Sequence, residues 1–259
     1  MNIPDLFKDF SGREDELRRI KRFATFTRFC YRSDLWEHER RVYILVRDLS
    51  PIARRTLQKF NAKKAQTLAL VHDDTEIITG DVNLAEKRRM TKAALKKVAE
   101  NETEAIEVLA GRFPKTINGF SYKKLLYHAL HKDCIEAQVV SYADKVDAMC
   151  EAAHEVYGGN ILALEPLLFY PRILGRFTDT FPRLAPFLAY ADSPLTNFDW
   201  NITMEDITDG RRVRHFNKPH SKKSIREKTI FSPYNRWREL ILAHLGKEGE
   251  RFLTTRRDQ

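Results

Sequence analysis

Apolar residues recur at helical spacing through much of the chain, whereas the strict alternation that marks strands is nearly absent. Residues 122–132 and 136–157 show the helical spacing most clearly. An Ala/Lys/Glu-rich stretch also runs towards Gly111. Asn83, with Glu86 three residues later, has the spacing of a capping box that opens one long helix over this stretch. The pattern therefore predicts an all-α fold.

Proline and glycine residues mark the predicted ends of these elements. Ser50-Pro51 is typical of an N-cap followed by proline in the first helical turn, so it predicts a helix start. Gly158-Gly159 closes the helical region. The four prolines of 161–191 predict short helices broken by turns. The aromatic side chains of this stretch are expected in a core or an interface. We therefore expect a core at 1–159 and a C-terminal helical and loop extension at 160–259 that packs on it.

The C-terminal part of the chain is strongly basic. The formal net charge is +9, and residues 205–259 contain 14 Lys and Arg against 8 Asp and Glu, which is +6 of the total. A basic arm is predicted near 205–228 and an amphipathic helix near 234–245. This charge favours anionic partners such as nucleotides, nucleic acid or acidic protein surfaces. An ordinary solvated basic surface explains the same charge equally well.

Composition excludes several classes of protein. With 42% apolar and 11% aromatic residues, the 259-residue chain can bury a sizeable core, which excludes wholesale disorder. No apolar run approaches the roughly 20 residues that cross a bilayer, and the N-terminal segment lacks the features of a secretory signal. Cys30, Cys134 and Cys150 are odd in number and widely spaced, which indicates reduced thiols. We expect a cytoplasmic protein without a membrane partner.

The strongest chemical signal is the pair His72-Asp73, whose imidazole nitrogen and carboxylate oxygen can converge on one cation. His38 precedes an apolar helical run and is expected to face inwards. Asp144 projects from an apolar helical stripe, where an isolated carboxylate is costly. Glu76, one helical turn after His72, adds another carboxylate. These donors suit one divalent ion, Mn²⁺, Co²⁺, Zn²⁺, Fe²⁺ or Mg²⁺, among which the sequence does not choose.

The order of these residues resembles the HD-domain superfamily, in which a His precedes a His-Asp pair and a distal helical Asp follows. The segment His72–Asp81, with Lys87 beyond it, matches H-D-x-x-E-x-x-x-G-D followed by lysine. That pattern is typical of the bacterial 5′-deoxynucleotidase branch and of related phage deoxynucleoside triphosphohydrolases. Arg22-Phe23 and Glu37-His38 match the upstream motif. The chain departs from the family where Glu39 stands in place of a small residue after the first His.

The resemblance implies an HD-domain helical bundle for the core and a role for each matched residue. The implied metal ligands are His38, His72, Asp73 and Asp144. The implied catalytic residues are Asp73 and Glu76, with Glu76 as general acid or base. The implied substrate contacts are Arg22 and Lys87 to phosphate, Phe23 to the sugar or base, and Asp81 to a sugar hydroxyl.

Three functions compete under this interpretation. The first is a 5′-deoxyribonucleotidase that releases phosphate from monophosphates, and the second is a deoxynucleoside triphosphohydrolase, which the positive charge mildly favours. The third is a nucleic-acid-binding module that uses the basic arm. A homodimer or a higher homo-oligomer is compatible with each of them. His128 and His131 have the spacing of a helical metal-binding pair but lack an accompanying carboxylate, so we expect surface or core histidines without a metal.

Overall fold

The computed structural model describes residues 3–23, 33–82, 84–157 and 160–191. The predicted break at Gly158-Gly159, the basic arm near 205–228 and the helix near 234–245 lie outside these residues. The described residues form two compact units. The first comprises 3–23, 33–47, 60–82 and 84–141, and the second comprises 48–59, 142–157 and 160–191. The predicted division of the chain at 159/160 stays a prediction.

Helices make up nearly all regular structure in the described residues, which confirms the predicted all-α class. The helices that lie wholly or partly in the first unit are α1 (Ile3–Leu6), α2 (Arg13–Arg19), α3 (Leu35–Thr56), α4 (Ala62–Ala69), α5 (Glu76–Thr79), α6 (Leu84–Arg89), α7 (Lys92–Arg112), α8 (Tyr122–His131) and α9 (Ile135–Tyr157). Two short antiparallel strands, β1 (Thr116–Ile117) and β2 (Phe120–Ser121), form a hairpin between α7 and α8. None of the described helices is long and apolar enough to cross a membrane.

A core of aliphatic and aromatic side chains holds the first unit together. Leu17 of α2 packs with Leu35 and Trp36 at the start of α3, and all three are buried. Phe10, just before α2, stacks on Phe113 at the end of α7 with the ring centroids 5.2 Å apart. Burial of such large side chains is the main favourable term in folding. This core fixes α2 and the start of α3, which carry or flank several predicted site residues.

α3 is longer than the sequence predicts. Ser50-Pro51 lies inside this helix, so the predicted helix start at that point is wrong. Proline lacks the amide hydrogen that an interior helical residue donates, and its presence there costs about 3 kcal/mol. Val46 and Ala53, on either side of the proline, are fully buried. Burial of apolar surface on both sides of Pro51 offsets this cost, so the helix continues past the proline.

α6 and α7 are separate helices, so the predicted single helix towards Gly111 is wrong. Thr91 starts α7, because its Oγ1 accepts a hydrogen bond from the Ala94 amide at 3.2 Å. Asn83, the predicted cap, lies outside the described residues. The Ala/Lys/Glu composition continues across the break, and for that reason the helical pattern alone did not locate it.

Aromatic side chains also form the core of the second unit. Its helices beyond α9 are α10 (Leu164–Leu174), α11 (Phe177–Thr180) and α12 (Ala185–Ala191), with 3₁₀ turns at Ile161–Ala163 and Pro182–Leu184. Tyr142 of α9 meets the rings of Phe177 and Phe187 edge-on, each at 5.7 Å between centroids. Phe177 and Phe187 are both buried. The predicted short helices and the core position of Phe177 and Phe187 are therefore confirmed. Pro171 lies inside α10, so the prediction that proline breaks the helix at that point is wrong.

Candidate active site

A capping box fixes the position of His38 at the start of α3. Asp34 Oδ1 accepts a hydrogen bond from the Glu37 amide at 3.0 Å, and the Asp34 amide donates to Glu37 Oε2 at 3.5 Å. Such reciprocal bonds satisfy two amides that a helix start otherwise leaves without partners. His38 follows Glu37 directly and is fully buried, which confirms that it faces inwards.

His72 and Asp73 lie in consecutive tight turns between α4 and α5. The Glu76 amide donates to the Asp73 carbonyl at 2.8 Å and begins α5. His72 Nδ1 lies 2.9 Å from the carbonyl oxygen of Ala69. Because a carbonyl can only accept, Nδ1 carries the hydrogen in this assignment, and Nε2 keeps its lone pair. A metal-ligating histidine has the same arrangement, in which the second ring nitrogen donates to a backbone carbonyl.

Three predicted metal ligands converge within the first unit. Asp73 Oδ2 lies 3.3 Å from His38 Nε2 and 3.5 Å from His72 Nε2. The ligand nitrogens of the two imidazoles lie within 4.8 Å of each other. Ligands about 2.1 Å from one ion stand roughly 3.0–3.4 Å apart in octahedral or tetrahedral geometry. The two imidazoles and the carboxylate therefore fit a divalent transition metal in donor type, and the distances from Asp73 Oδ2 to the two nitrogens are close to the expected spacing.

Arg22 brings a guanidinium beside these ligands. Its Nη1 lies 3.4 Å from Asp73 Oδ2, and its amide donates to the Ser33 carbonyl at 3.0 Å, which anchors the segment next to α3. Arg22 also lies over the ring of Phe23, 5.4 Å from its centroid. Phe23 has a φ of 51°, which a non-glycine residue rarely adopts, and its amide donates to Asp81 Oδ2 at 3.3 Å. The Asp81 carboxylate thus helps to hold Phe23 in a strained conformation.

Burial and neighbouring carboxylates disfavour a negative charge on Glu76. Burial raises the pKa of Glu76 well above its ordinary value, and Asp73 and Asp81 raise it further, whereas Arg22 and His38 oppose this shift. Glu76 Oε2 is buried and has no hydrogen-bond partner among the described residues. Burial likewise raises the pKa of Asp81, with Arg22 as the main opposing group. This local excess of acidic groups is the environment that a bound cation neutralises.

Asp144 belongs to the second unit and lies on α9, three residues beyond the last residue of the first unit. Its carboxylate is partly buried and accepts a hydrogen bond from Lys145. Val140 and Ala148, one helical turn to either side, are buried, so the predicted apolar stripe around Asp144 is confirmed. Its predicted role as a metal ligand stays a prediction.

Two other polar groups have partners that the sequence did not indicate. Lys87 Nζ donates to Glu102 at 2.8 Å, and its predicted contact with phosphate stays a prediction. His128 Nδ1 lies 2.6 Å from Asp133 Oδ1, so the expectation that His128 lacks carboxylate company is wrong. Cys134 offers a third ligand atom in this group, but its sulfur accepts a hydrogen bond from the ammonium of a lysine. These pairings account for the group without a metal ion.

Sequence reasoning missed a buried polar cluster next to the site, formed by Arg13, Glu39, Asp74 and Tyr122. Glu39 directly follows His38, and Asp74 directly follows Asp73. The available signal was the departure from the family pattern at Glu39. A charged residue on the buried side of a helix requires a partner, and the sequence alone does not identify that partner as Arg13.

Comparison with known proteins identifies a family that matches this chain. The YfbR-like 5′-deoxynucleotidase family matches residues 10–162 of the chain. A conserved hypothetical protein from Pyrococcus furiosus has a similar fold, with a TM-score of 0.53 and 19% identity over 80% of this chain and 98% of its own. The cyanophage S-2L HD phosphohydrolase DatZ, solved with dA and one catalytic Zn²⁺, aligns with a TM-score of 0.41 and 19% identity over 67% of this chain and 94% of its own. No curated protein matches the chain.

The family match spans more than half of the 259 residues and includes all the positions predicted as metal ligands or catalytic groups. The helical fold and the convergence of two imidazoles with a carboxylate agree with it. The chain therefore belongs to the YfbR-like 5′-deoxynucleotidase family of HD-domain proteins, and it is a metal-dependent nucleotide phosphohydrolase.

Proposed function

We propose that the substrate is a deoxyribonucleoside 5′-monophosphate, from which the enzyme releases inorganic phosphate. The observation that carries this proposal is the convergence of His38, His72 and Asp73 beside the guanidinium of Arg22. Asp144 completes the proposed set of ligands for one divalent ion, supported by its place on a buried stripe of α9 and within the family match. When bound, such an ion polarises the phosphate and lowers the pKa of a water molecule.

The surrounding side chains have separate proposed roles in this reaction. Arg22 binds phosphate oxygens, because a planar guanidinium donates paired hydrogen bonds to them. Burial raises the pKa of Glu76 and so favours its protonated carboxyl group, which can give the proton to the leaving ribose oxygen. Phe23 packs against the sugar or base. The free oxygen of Asp81, whose other oxygen accepts from the Phe23 amide, accepts a bond from a sugar hydroxyl.

The contact between Arg22 and Asp73 supports the binding of one phosphate group. In the first unit, the guanidinium of Arg22 contacts Asp73. A monophosphate carries a charge of about −1.5 to −2 near neutral pH. A triphosphate carries more charge and requires further cations. Lys87 is one predicted source, but its ammonium donates to Glu102. The second candidate function, triphosphate release, is supported by the +6 charge of 205–259.

A substrate panel distinguishes the two functions. The metal-free protein is supplied in turn with Mn²⁺, Co²⁺, Zn²⁺ or Mg²⁺ and with deoxy- and ribonucleoside mono- and triphosphates. Released phosphate and released triphosphate are separated and quantified. The proposal expects phosphate release from deoxynucleoside monophosphates with the highest kcat/KM. Triphosphate as the main product contradicts it and supports the second candidate.

The ligand set is tested separately by substitution. Asp73→Ala removes the carboxylate that lies within 3.5 Å of both imidazoles, so both bound metal and activity should be lost. Asp133→Ala is the matched control, because it removes an exposed carboxylate that also contacts a histidine. Metal content is measured by elemental analysis. Full metal occupancy in Asp73→Ala contradicts the proposed ligands.

A cytoplasmic location is part of the same proposal. Cys134 is a free thiol in the structure, and reduced cysteines are typical of cytosolic proteins. A homo-oligomer and a nucleic-acid partner for the basic arm also remain predictions, and size measurement of the purified full chain addresses the first of them.

A further inference from the structure

A buried ionic cluster connects the two segments that carry the converging ligands. Arg13 of α2 is 1% exposed, Glu39 is 1% exposed, and Asp74 and Tyr122 are fully buried. Charged side chains are almost never buried this deeply unless they are paired. All four residues belong to the first unit.

The guanidinium of Arg13 is the centre of this cluster. Its Nε donates to both carboxylate oxygens of Asp74 at 2.9 Å, and its Nη2 donates to Asp74 Oδ1 at 2.5 Å. The same Nη2 donates to Glu39 Oε2 at 2.6 Å and to the Leu70 carbonyl at 2.5 Å. Tyr122 supplies a further bond, from its hydroxyl to Asp74 Oδ2 at 2.7 Å. The Asp74 carboxylate is therefore fixed in both position and orientation.

The partners of Arg13 lie next to the ligands along the chain. Glu39 follows His38 on α3, Asp74 follows Asp73, and Leu70 precedes His72 by two residues. Arg13 thus joins the N-terminal part of α3 to the loop between α4 and α5 through side-chain and backbone acceptors at once. The Phe7 ring, 4.1 Å from the guanidinium carbon, packs against its face and restricts its orientation.

Stability alone is a poor explanation for this cluster. Burial of ion pairs costs desolvation energy, and apolar residues of similar volume often serve stability as well or better. In addition, Arg13 Nη1 and Glu39 Oε1 are buried with no hydrogen-bond partner among the described residues. An incompletely satisfied polar cluster is costly to bury. Its evident physical effect is geometric, since it fixes the separation of two backbone segments.

We propose that Arg13 is a positioning residue, which sets the spacing of His38 from His72 and Asp73 through its bonds to Glu39, Asp74 and the Leu70 carbonyl. The inference rests on the proposed function, because it takes those three residues as metal ligands. It also gives a role to Glu39, the residue at which the chain departs from its family. Arg13 itself contacts neither metal nor substrate in this scheme.

The main test uses Co²⁺ as a spectroscopic probe on the full chain. Arg13→Lys keeps the charge but cannot form the same set of bonds, so Co²⁺ affinity should fall about 10- to 100-fold, as for other residues that orient metal ligands. The visible absorption of bound Co²⁺, which reports ligand geometry, should also change. Leu109→Ala is the control, since it removes a fully buried side chain of α7 and lowers the melting temperature. The control should leave the Co²⁺ affinity and spectrum as in the wild-type protein.

Two further measurements decide the remaining cases. Tyr122→Phe removes one bond to Asp74 and keeps the ring, so it should weaken Co²⁺ binding less than Arg13→Lys does. If Arg13→Lys does not fold, unchanged affinity in Tyr122→Phe overturns the proposal. A folded Arg13→Lys variant with wild-type affinity and spectrum also overturns it. Absence of Co²⁺ binding or hydrolysis in the wild-type protein instead contradicts the proposed function, which keeps the two failures distinguishable.

Discussion

The carboxyl group of Glu76 occupies an environment that favours its neutral form. Its Oε2 is buried without a hydrogen-bond partner among the described residues, and two further carboxylates, those of Asp73 and Asp81, contribute to its raised pKa. A carboxylic acid that keeps its proton near neutral pH can act as a general acid. The same environment makes the ionised form costly in the absence of a cation.

Replacement of Glu76 by Gln separates proton transfer from metal binding. If Glu76 transfers a proton and does not ligate the metal, Glu76→Gln should keep its metal and lose roughly 10² to 10⁴-fold in kcat. Metal content by elemental analysis and steady-state kinetics on the same preparation check this. Loss of metal together with activity would place Glu76 in the coordination shell instead.

The same substitution has a predicted effect on the stability of the metal-free protein. The folded pKa of Glu76 is raised, so its neutral form contributes stability below the unfolded pKa, and this contribution is lost as the pH rises through the folded pKa. Glu76→Gln cannot ionise. In excess chelator, its melting temperature relative to wild type should therefore increase as the pH rises above the unfolded-state pKa of glutamate, about 4.3. A difference that is constant with pH contradicts the assigned environment of Glu76.

Helix and turn boundaries depend on single residues, and this limits what the sequence predicts at the scale of elements. α8 and α9 were predicted nearly to the residue, because long apolar stripes determine them. Ser50-Pro51 wrongly predicts a helix start, because α3 continues through Pro51 with buried residues on both sides of it. The β1–β2 hairpin was missed, although Asn118-Gly119 between two apolar positions is a strong signal for such a turn. Strands of two residues are too short to show alternation.

Paired glycine substitutions test the hairpin. Gly119 has a φ of 87°, a conformation that costs an L-residue about 1–2 kcal/mol, whereas a Cβ there meets no atom within 4 Å. Gly119→Ala should therefore lower the free energy of unfolding by about that amount through backbone strain alone. Gly111→Ala is the control, because this helical glycine has equal space and no positive φ. It should raise stability by roughly 0.5–1 kcal/mol. Urea denaturation measures both, and equal effects would contradict the assigned turn.

At the scale of the whole molecule, the sequence predicts the candidate metal ligands more completely than it predicts the substrate. The donor types and their order along the chain predict His38, His72 and Asp73 as metal ligands, and the structure brings these three side chains close together. The sequence does not predict contacts between distant segments. Arg13 and Asp74, for example, pair across 61 residues, and such pairing leaves no local pattern. The number of phosphates depends on cations near the site. The largest basic excess lies in 205–259, outside the described residues.

A double substitution in the basic arm tests whether that excess serves the active site. Arg212→Ala with Arg214→Ala removes two of its charges. If the arm contacts a triphosphate, KM for nucleoside triphosphates should rise while KM for monophosphates changes little, because only the longer anion reaches the added cations. If the arm binds nucleic acid, the kinetics should stay unchanged and salt-sensitive DNA or RNA binding should be lost. Arg88→Ala with Arg89→Ala, two exposed residues on α6, controls for the loss of charge alone. No change in either property would leave the arm as a solvated surface, and the triphosphate candidate would lose its main support.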